Sequence, residues 1–258
     1  MRLTRTTTAL LASILTAAVF LASGCGGSDP SDGPTPLTVS AAASLTEALP
    51  AYADAIGAGV RFSFAGSDEL AAQIRQGAPV DVFAAASTEL PDALFAEGLV
   101  EKPVVFASNS LVITAPANSG IDSIQDLTEP GVDLVAGTEE VPFGAYTRDL
   151  LDRLPAAQRE AILANVRSEE SDVKAAVGKL TQGAADAAFT YASDVTAASG
   201  QLRAIELPPR LQPEVAYGVA VVKGSERPDA ARAFVAALTG PDGRRALRDA
   251  GFEPPPGG

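Results

Sequence analysis

Four segments of the sequence place small polar residues or a proline where a helix is predicted to begin. Ser44 opens an S-x-x-E pattern that ends at Glu47, and Ser67 follows an apolar run. Pro142 and Asp172 stand at the start of two further predicted helices. The first turn of a helix exposes backbone N–H groups without partners and carries the positive end of the helix dipole. Any one start alone indicates simple capping, with the Ser44 oxygen accepting the N–H of Glu47. Several starts together can bind an anion.

The elements around these segments alternate between strands and helices. Short apolar runs such as Leu37–Ala43 and Val80–Ala85 predict buried strands, while Leu45–Ile56 and Pro142–Leu154 carry apolar residues at helical spacing. This alternation predicts an α/β fold with mostly parallel strands and helices on both faces of the sheet. Ligands of such sheets lie outside the carboxyl ends of the strands, so we expect helix starts that follow strands to converge.

The strand–helix pattern restarts at Asp133, which predicts two α/β lobes. We expect the chain to cross between the lobes near residues 114–117 and 217–220, and the last two helices to return to the first lobe. The predicted boundaries are residues 37–115 and 219–253 for lobe 1, 116–218 for lobe 2 and 254–258 for a terminal tail.

The amino terminus resembles a bacterial lipoprotein signal. Two arginines precede the apolar stretch Ala9–Ala22, which is shorter than the roughly 20 residues of a membrane-spanning helix. Small residues then lead to Cys25, the single cysteine. Residues 1–24 are predicted to be a signal peptide and residues 25–36 a lipidated cysteine with a flexible linker. The protein is therefore expected outside the cytoplasm, anchored to the outer face of the cell membrane. The alternative is an ordinary cleaved signal with an incidental cysteine.

Composition argues against several classes of function. The 258 residues include 19 Lys and Arg against 32 Asp and Glu, a net charge of −13, and no His. Nucleic-acid binding is not expected, because contacts to phosphates need clustered Lys and Arg. Without His there is no Ser-His-Asp triad and no His-ligated zinc, and one Cys forms no internal disulfide. We expect no enzyme activity and no cofactor; an enzyme on the same fold would need a general base in the cleft.

Two acidic pairs and the tyrosines offer other chemistry. Glu139–Glu140 and Glu169–Glu170 suggest calcium ligands or catalytic carboxylates, but adjacent acids at helix starts more often serve the helix dipole. Phenolates could hold ferric iron. Tyr52 and Tyr217 are predicted to pack in the core, which leaves Tyr191, at a strand end, as the tyrosine suited to a site.

Five segments, taken in order, resemble the periplasmic molybdate-binding proteins, which are the substrate-binding components of ABC importers. The resemblance extends from Leu37 to Phe252. It implies a two-lobed type II periplasmic-binding-protein fold, with two mostly parallel sheets flanked by helices and a hinge between the lobes. The segments are Ala41–Leu45, Phe64–Phe83, Glu140–Tyr146, Asp172–Val173 and Ala187–Asp194.

The resemblance also implies a function and a set of binding residues. A monomer would capture molybdate or tungstate in a cleft between the lobes and deliver it to an ABC permease. No metal would be ligated directly, since the anion is held by hydrogen bonds. Ser44 and Ser67 would donate from side chain and main chain, Phe143 and Val173 from backbone N–H groups, and Tyr191 from its phenol.

The chemistry of the anion explains why these types of donor are suitable. Molybdate, tungstate and sulfate are fully deprotonated near neutral pH and need only donors, whereas the O–H of a protonated oxyanion would find no acceptor. Charge-assisted hydrogen bonds of this kind are strong without Arg or Lys. The alternatives are a sulfate-type oxyanion-binding protein and a cell-surface interaction lipoprotein without a small ligand.

Two residues depart from the pattern of the family. Phe143 stands where relatives often have a smaller residue, so its ring is expected to point away from the anion. Asp68 follows Ser67 where many relatives have Ser or Thr. A carboxylate aimed inward would repel a dianion, so Asp68 is expected to face solvent and serve the helix dipole.

Overall fold

Two five-stranded sheets organise residues 36–256, which are the residues that the computed structural model describes. The predicted signal peptide, Cys25 and nearly all of the predicted linker lie outside the described residues, as do the last two positions of the tail. The described strands are β1 (Leu37–Ala42), β2 (Val60–Ala65), β3 (Val82–Ala85), β4 (Val104–Asn109), β5 (Leu111–Pro116), β6 (Leu134–Gly137), β7 (Val166–Glu170), β8 (Ala187–Tyr191), β9 (Leu202–Glu206) and β10 (Val215–Val221).

Helices cover both sheets. Two short 3₁₀ turns, Ala43–Leu45 and Asp126–Thr128, supplement them. Within residues 36–256 none of the helices combines the length and the apolar character needed to cross a bilayer. The described helices are α1 (Ala48–Ala55), α2 (Ser67–Arg75), α3 (Glu89–Ala96), α4 (Pro142–Asp152), α5 (Ala156–Ala164), α6 (Val173–Thr181), α7 (Ala192–Ala197), α8 (Pro228–Leu238) and α9 (Pro241–Asp249).

The two sheets have the same plan. Sheet 1 has the order β2-β1-β3-β10-β4, and sheet 2 has the order β7-β6-β8-β5-β9. In sheet 1, β1 pairs in parallel with β2 and β3, while β10 lies antiparallel to β3 and β4. Sheet 2 repeats this arrangement with β5 as the reversed strand. Four strands of each sheet therefore run in one direction, which confirms the expectation of two mostly parallel sheets flanked by helices. We call sheet 1 and its helices lobe 1, and sheet 2 and its helices lobe 2.

The chain passes between the sheets earlier than the sequence analysis predicts. Strand β4 of sheet 1 ends at Asn109 and β5 of sheet 2 begins at Leu111, so the first crossing is at Ser110. The second lies between Glu206 and Val215. The difference arises because apolar periodicity identifies a strand but not the sheet that it joins. Helices α8 and α9 return to lobe 1, where they pack on β10 and α1.

The central strands are buried, and their sequences are correspondingly apolar. All residues of β3 and β8 are buried, as expected for strands covered by helices on both faces. Strand β2, at an edge of sheet 1, alternates between exposed and partly buried positions instead. The carboxyl terminus is fixed to this framework, because Ser108 and Glu253 pair through their backbones and the Ser108 hydroxyl donates to the Pro254 carbonyl at 2.6 Å.

Candidate functional site

The five residues predicted to bind an anion line one small cavity between the two sheets. Ser44 and Ser67 reach it from lobe 1, and Phe143, Val173 and Tyr191 reach it from lobe 2. All five are buried. The space that a water-sized sphere can occupy in the cavity is about 20 Å³, whereas pockets for organic ligands usually measure roughly 300–1,000 Å³. Its size therefore suits a small ion.

Ser67 is presented at the start of a helix. Strand β2 ends at Ala65, Gly66 is the N-cap, and Ser67 is the first residue of α2. The Ser67 Oγ accepts the backbone N–H of Ala86 at 3.1 Å. Since this oxygen already accepts a hydrogen bond, its proton is available to the cavity. The Ser67 N–H belongs to the first turn of α2, where no preceding carbonyl of the helix reaches it.

Ser44 lies in the 3₁₀ turn that follows β1, and it does not form the predicted capping box. Helix α1 begins only at Ala48, and the side chain of its N-cap residue, Glu47, makes no capping hydrogen bond to the described helix. The Ser44 Oγ instead lies 3.0 Å from the hydroxyl oxygen of Tyr217 on β10. The prediction was wrong because a buried tertiary partner outweighs a local cap. The sequence analysis predicts that Tyr217 packs in the core, but it does not predict this contact between the two hydroxyls. No sequence signal indicates the contact.

The start of α4 lies close to the end of β6. A Cβ atom on Gly144 would overlap the carbonyl oxygen of Thr138, so only glycine permits this approach. Pro142 occupies the first turn, where a missing N–H is harmless. The Phe143 ring packs over Gly137, with its Cε1 2.8 Å from where a Cβ of that glycine would lie. The ring thus belongs to the core, and the Phe143 N–H lies in the first turn of α4.

Val173 is the first residue of α6, and the carboxylate next to it is turned back onto the helix. Asp172 is the N-cap of α6, and its Oδ1 accepts the N–H of Ala175 at 2.9 Å. Asp172 also lines the cavity. Because its carboxylate caps the helix, the N–H of Val173 is left as a donor near the cavity.

Tyr191 ends β8 with its hydroxyl buried. Its side chain is 1% exposed, and the hydroxyl oxygen has no hydrogen-bond partner among residues 36–256. Burial raises the pKa of the Tyr191 phenol well above its usual value, so the phenol keeps its proton. An unsatisfied buried hydroxyl costs about 1–3 kcal/mol. A bound acceptor would recover this cost.

A lysine next to the cavity joins the two lobes. Lys174 Nζ on α6 lies 2.9 Å from Glu47 Oε2 of lobe 1 and 3.4 Å from Asp194 Oδ1 of lobe 2. The other oxygen of Asp194 accepts the Tyr191 N–H at 3.2 Å. Burial raises the pKa of Asp194 to about 6, and the nearby Lys174 ammonium opposes that shift. The sequence analysis predicts no special place for Lys174, whereas the structure makes it a contact between the lobes.

Asp68 is partly exposed, but one of its two carboxylate oxygens does not face solvent as predicted. Its Oδ1 is buried without a hydrogen-bond partner among the described residues, although Asp68 is not part of the cavity lining. This oxygen lies 2.7 Å from where a Cβ of Gly66 would be, and the same position would overlap the carbonyl oxygen of Ser171 from lobe 2. The approach of lobe 2 to Gly66 therefore covers part of Asp68.

The other candidates from the sequence have structural roles. Glu169 forms an ion pair with Arg148, and Glu170 with Lys179 at 2.6 Å. The Tyr52 hydroxyl donates to the Phe234 carbonyl at 2.7 Å. Across residues 36–256, no group of three or more His, Cys, Asp and Glu side chains is placed to hold a metal ion.

The fold and the site together define a class of protein. Two similar α/β lobes enclose a small cavity, and helix starts from both lobes bring backbone amides and hydroxyls to it. The sequence profile described as bacterial extracellular solute-binding protein matches residues 37–253. The chain belongs to this family.

Three individual proteins illustrate what this chain is similar to. The molybdate-binding protein ModA of Mycobacterium bovis is 36% identical over 263 residues, which cover 96% of this chain and 97% of that protein. The periplasmic molybdate-binding protein of Azotobacter vinelandii superposes with a TM-score of 0.76 at 22% identity, over 85% of this chain and 99% of that one. The sulfate-binding protein SubI of Mycobacterium tuberculosis H37Rv gives 0.74 at 19% identity, over 86% and 87%. The two structural comparisons support the fold.

Proposed function

We propose that this chain captures molybdate or tungstate in the cavity between its lobes and delivers the anion to an ABC permease. One observation carries the proposal: five residues from two lobes line a single small cavity, and the Tyr191 hydroxyl there lacks a hydrogen-bond partner among the residues that the structure describes. The 36% identity to a protein named for molybdate binding supports this choice of ligand.

Each donor has a specific task in the proposed complex. The Ser44 and Ser67 hydroxyls and the Tyr191 phenol donate to oxygens of the anion, and the N–H groups of Phe143 and Val173 add the positive ends of two helix dipoles. Hydrogen bonds to a desolvated anion are roughly twice as strong as neutral ones. Local dipoles therefore bind a dianion despite the net charge of −13.

Capture in this proposal involves closure of the two lobes about a hinge. The donor set is complete only when lobe 1 and lobe 2 face each other, so binding favours the closed arrangement. Two contacts support this view, since Lys174 reaches Glu47 across the cleft and the Ser171 carbonyl packs on Gly66. A permease would recognise the closed form and separate the lobes to release the anion.

We also propose that the protein acts outside the cytoplasm as a lipid-anchored monomer without a cofactor or enzyme activity. Cys25 would carry the lipid, and residues 26–36 would be a tether to the folded body. A hydrolytic role for Ser44 finds no support, because its neighbour is a phenol whose pKa is raised well above its usual value by burial. Such a phenol is a poor general base at neutral pH.

Titration calorimetry with four oxyanions tests the proposed ligand. Purified protein without its signal peptide is titrated with molybdate, tungstate, sulfate and phosphate at fixed ionic strength. We expect tight binding of molybdate and tungstate, weaker binding of sulfate and none of phosphate. Tight binding of sulfate alone would make the protein a sulfate receptor, and failure of all four anions to bind would favour an interaction protein without a small ligand.

A further inference from the structure

The hydroxyl of Ser44 is in contact with a second hydroxyl behind it. Tyr217 is fully buried on β10, and its oxygen lies 3.0 Å from Ser44 Oγ. Its ring makes edge contacts with three other aromatic rings, at centroid distances of 5.9 Å to Tyr191, 6.1 Å to Phe106 and 5.3 Å to Phe252. Packing on three sides fixes the ring, so the position of the Tyr217 oxygen behind Ser44 is fixed as well.

The neighbouring amide determines which hydroxyl donates. Asn109 Oδ1 accepts the N–H of Ser110, and Asn109 Nδ2 donates to the Ser193 hydroxyl at 2.8 Å. These two bonds orient the amide with its NH₂ group as a donor. Burial raises the pKa of the Tyr217 phenol, so the phenol keeps its proton. The Asn109 NH₂ group offers no acceptor to Tyr217, and Ser44 Oγ lies 3.0 Å from the Tyr217 oxygen, so the proton of Tyr217 is directed to Ser44.

From this arrangement we propose that Tyr217 is a positioning residue that makes the site specific for fully deprotonated oxyanions. By donating to the Ser44 oxygen, Tyr217 leaves the Ser44 proton to point into the cavity. The Ala86 N–H acts in the same way on Ser67. Both serines then direct their protons into the cavity, where the O–H of hydrogen phosphate would meet donors. The inference rests on the proposed oxyanion-binding function, and it identifies what sets the polarity of the site.

Replacement of Tyr217 by phenylalanine removes the donor and keeps the ring. The Ser44 hydroxyl can then rotate to offer a lone pair to the cavity. We expect Tyr217→Phe to weaken sulfate and molybdate binding by about fivefold, the effect of one neutral hydrogen bond. Hydrogen phosphate and sulfate are dianions of similar size that differ in one proton. The ratio of phosphate affinity to sulfate affinity, measured by calorimetry at pH 8, should rise at least tenfold in the variant. If phosphate binding to the wild-type protein is too weak to detect, the weakest affinity that calorimetry can detect is used in its place. The calculated rise of the ratio is then a lower bound.

Tyr52 provides a matched control. It is as deeply buried as Tyr217, it packs edge-on against Phe234 at 5.1 Å, and its hydroxyl donates to the Phe234 carbonyl outside the cavity. Tyr52→Phe removes one buried hydrogen bond from the same lobe. It should lower thermal stability to a similar extent and leave the phosphate-to-sulfate ratio unchanged.

Asn109→Asp gives a second test that does not alter the aromatic ring. An aspartate at this position accepts protons where the amide donated them, so the Tyr217 proton turns away from Ser44. The added negative charge weakens both dianions alike, and the affinity ratio cancels that effect. We expect this variant, too, to raise the ratio of phosphate affinity to sulfate affinity.

The outcomes separate the inference from the function on which it rests. If the wild-type protein binds no oxyanion, the proposed function fails. If it binds oxyanions but the ratio is unchanged in Tyr217→Phe and in Asn109→Asp, the positioning role is refuted and Tyr217 serves packing alone. An equal rise of the ratio in Tyr52→Phe would also refute it, because the effect would then follow from stability.

Discussion

At the scale of single residues, the site contains two kinds of donor that respond differently to mutation. Ser67 contributes a side-chain hydroxyl that is held by the Ala86 N–H. Phe143 lies in the first turn of α4, so its contribution in the proposed complex is a backbone N–H, while its ring packs over Gly137. A substitution can delete the first donor but not the second.

We therefore expect Ser67→Ala and Phe143→Ala to affect different quantities. Loss of a hydrogen bond to a charged group costs about 1.5–3 kcal/mol, so Ser67→Ala should weaken molybdate binding about 10- to 100-fold. Phe143→Ala leaves the N–H in place and empties a core position, which costs about 3–5 kcal/mol of stability with a small change in affinity. Calorimetry and thermal unfolding measure the two effects. Equal losses of affinity would contradict the backbone role of Phe143.

Residues at helix starts that line the cavity could be predicted from sequence, whereas their partners could not. Ser67 and Val173 are recognisable because a helix start is a local pattern of a few residues. The contact between Ser44 and Tyr217 joins positions 173 apart in the chain, and neither has a local feature that indicates the other. The fold creates this pair, so it becomes visible only in three dimensions.

At the scale of secondary-structure elements, the approach of α4 to β6 positions one of the donors. Gly144→Ala places a methyl group on the Thr138 carbonyl, and the helix start must move away from the strand. We expect a loss of about 1–3 kcal/mol in the free energy of unfolding, as for other overpacked sites, together with weaker molybdate binding. Chemical denaturation and calorimetry measure both quantities.

A second glycine of lobe 2 serves as the control for Gly144. Gly120 has open space where a Cβ would lie. Gly120→Ala should leave both stability and affinity close to wild type. If Gly144→Ala behaved in the same way, the close approach of α4 to β6 would not be needed to position the Phe143 amide.

Sequence patterns identified strands with an apolar run better than a strand that lacks one. The predicted strand Leu37–Ala43 agrees with β1, Leu37–Ala42, within one residue, because nearly all of this apolar run is buried. Strand β7 has the sequence VRSEE at an edge of sheet 2, and the sequence analysis did not predict it, since its half-exposed pattern lacks an apolar run. Its pairing with β6 supplies the stability that its composition does not.

At the scale of the whole molecule, one glycine allows the two lobes to approach closely, because it has no Cβ atom. A Cβ on Gly66 would overlap the carbonyl oxygen of Ser171 from lobe 2. Its backbone conformation, φ −58° and ψ 138°, is open to any residue. Gly66→Ala should therefore act sterically, by holding the lobes apart, and not through backbone strain.

We expect Gly66→Ala to weaken molybdate binding and to reduce the compaction that the anion produces. Each lobe remains intact, so thermal stability without ligand should change little. Small-angle X-ray scattering with and without molybdate measures the compaction. Gly224→Ala, where a Cβ meets open space, is the control. Full compaction in the Gly66 variant would show that this contact does not limit closure.

The order of strands has a consequence for how the chain acquires its structure. Sheet 2 is built from the continuous stretch Leu111–Glu206, whereas sheet 1 needs β10 between β3 and β4. As the polypeptide emerges from amino to carboxyl terminus, β3 and β4 stay unjoined until Val215–Val221 appears. Lobe 2, in the middle of the chain, can therefore fold before lobe 1. Lobe 1, which contributes Ser44 and Ser67, is completed last.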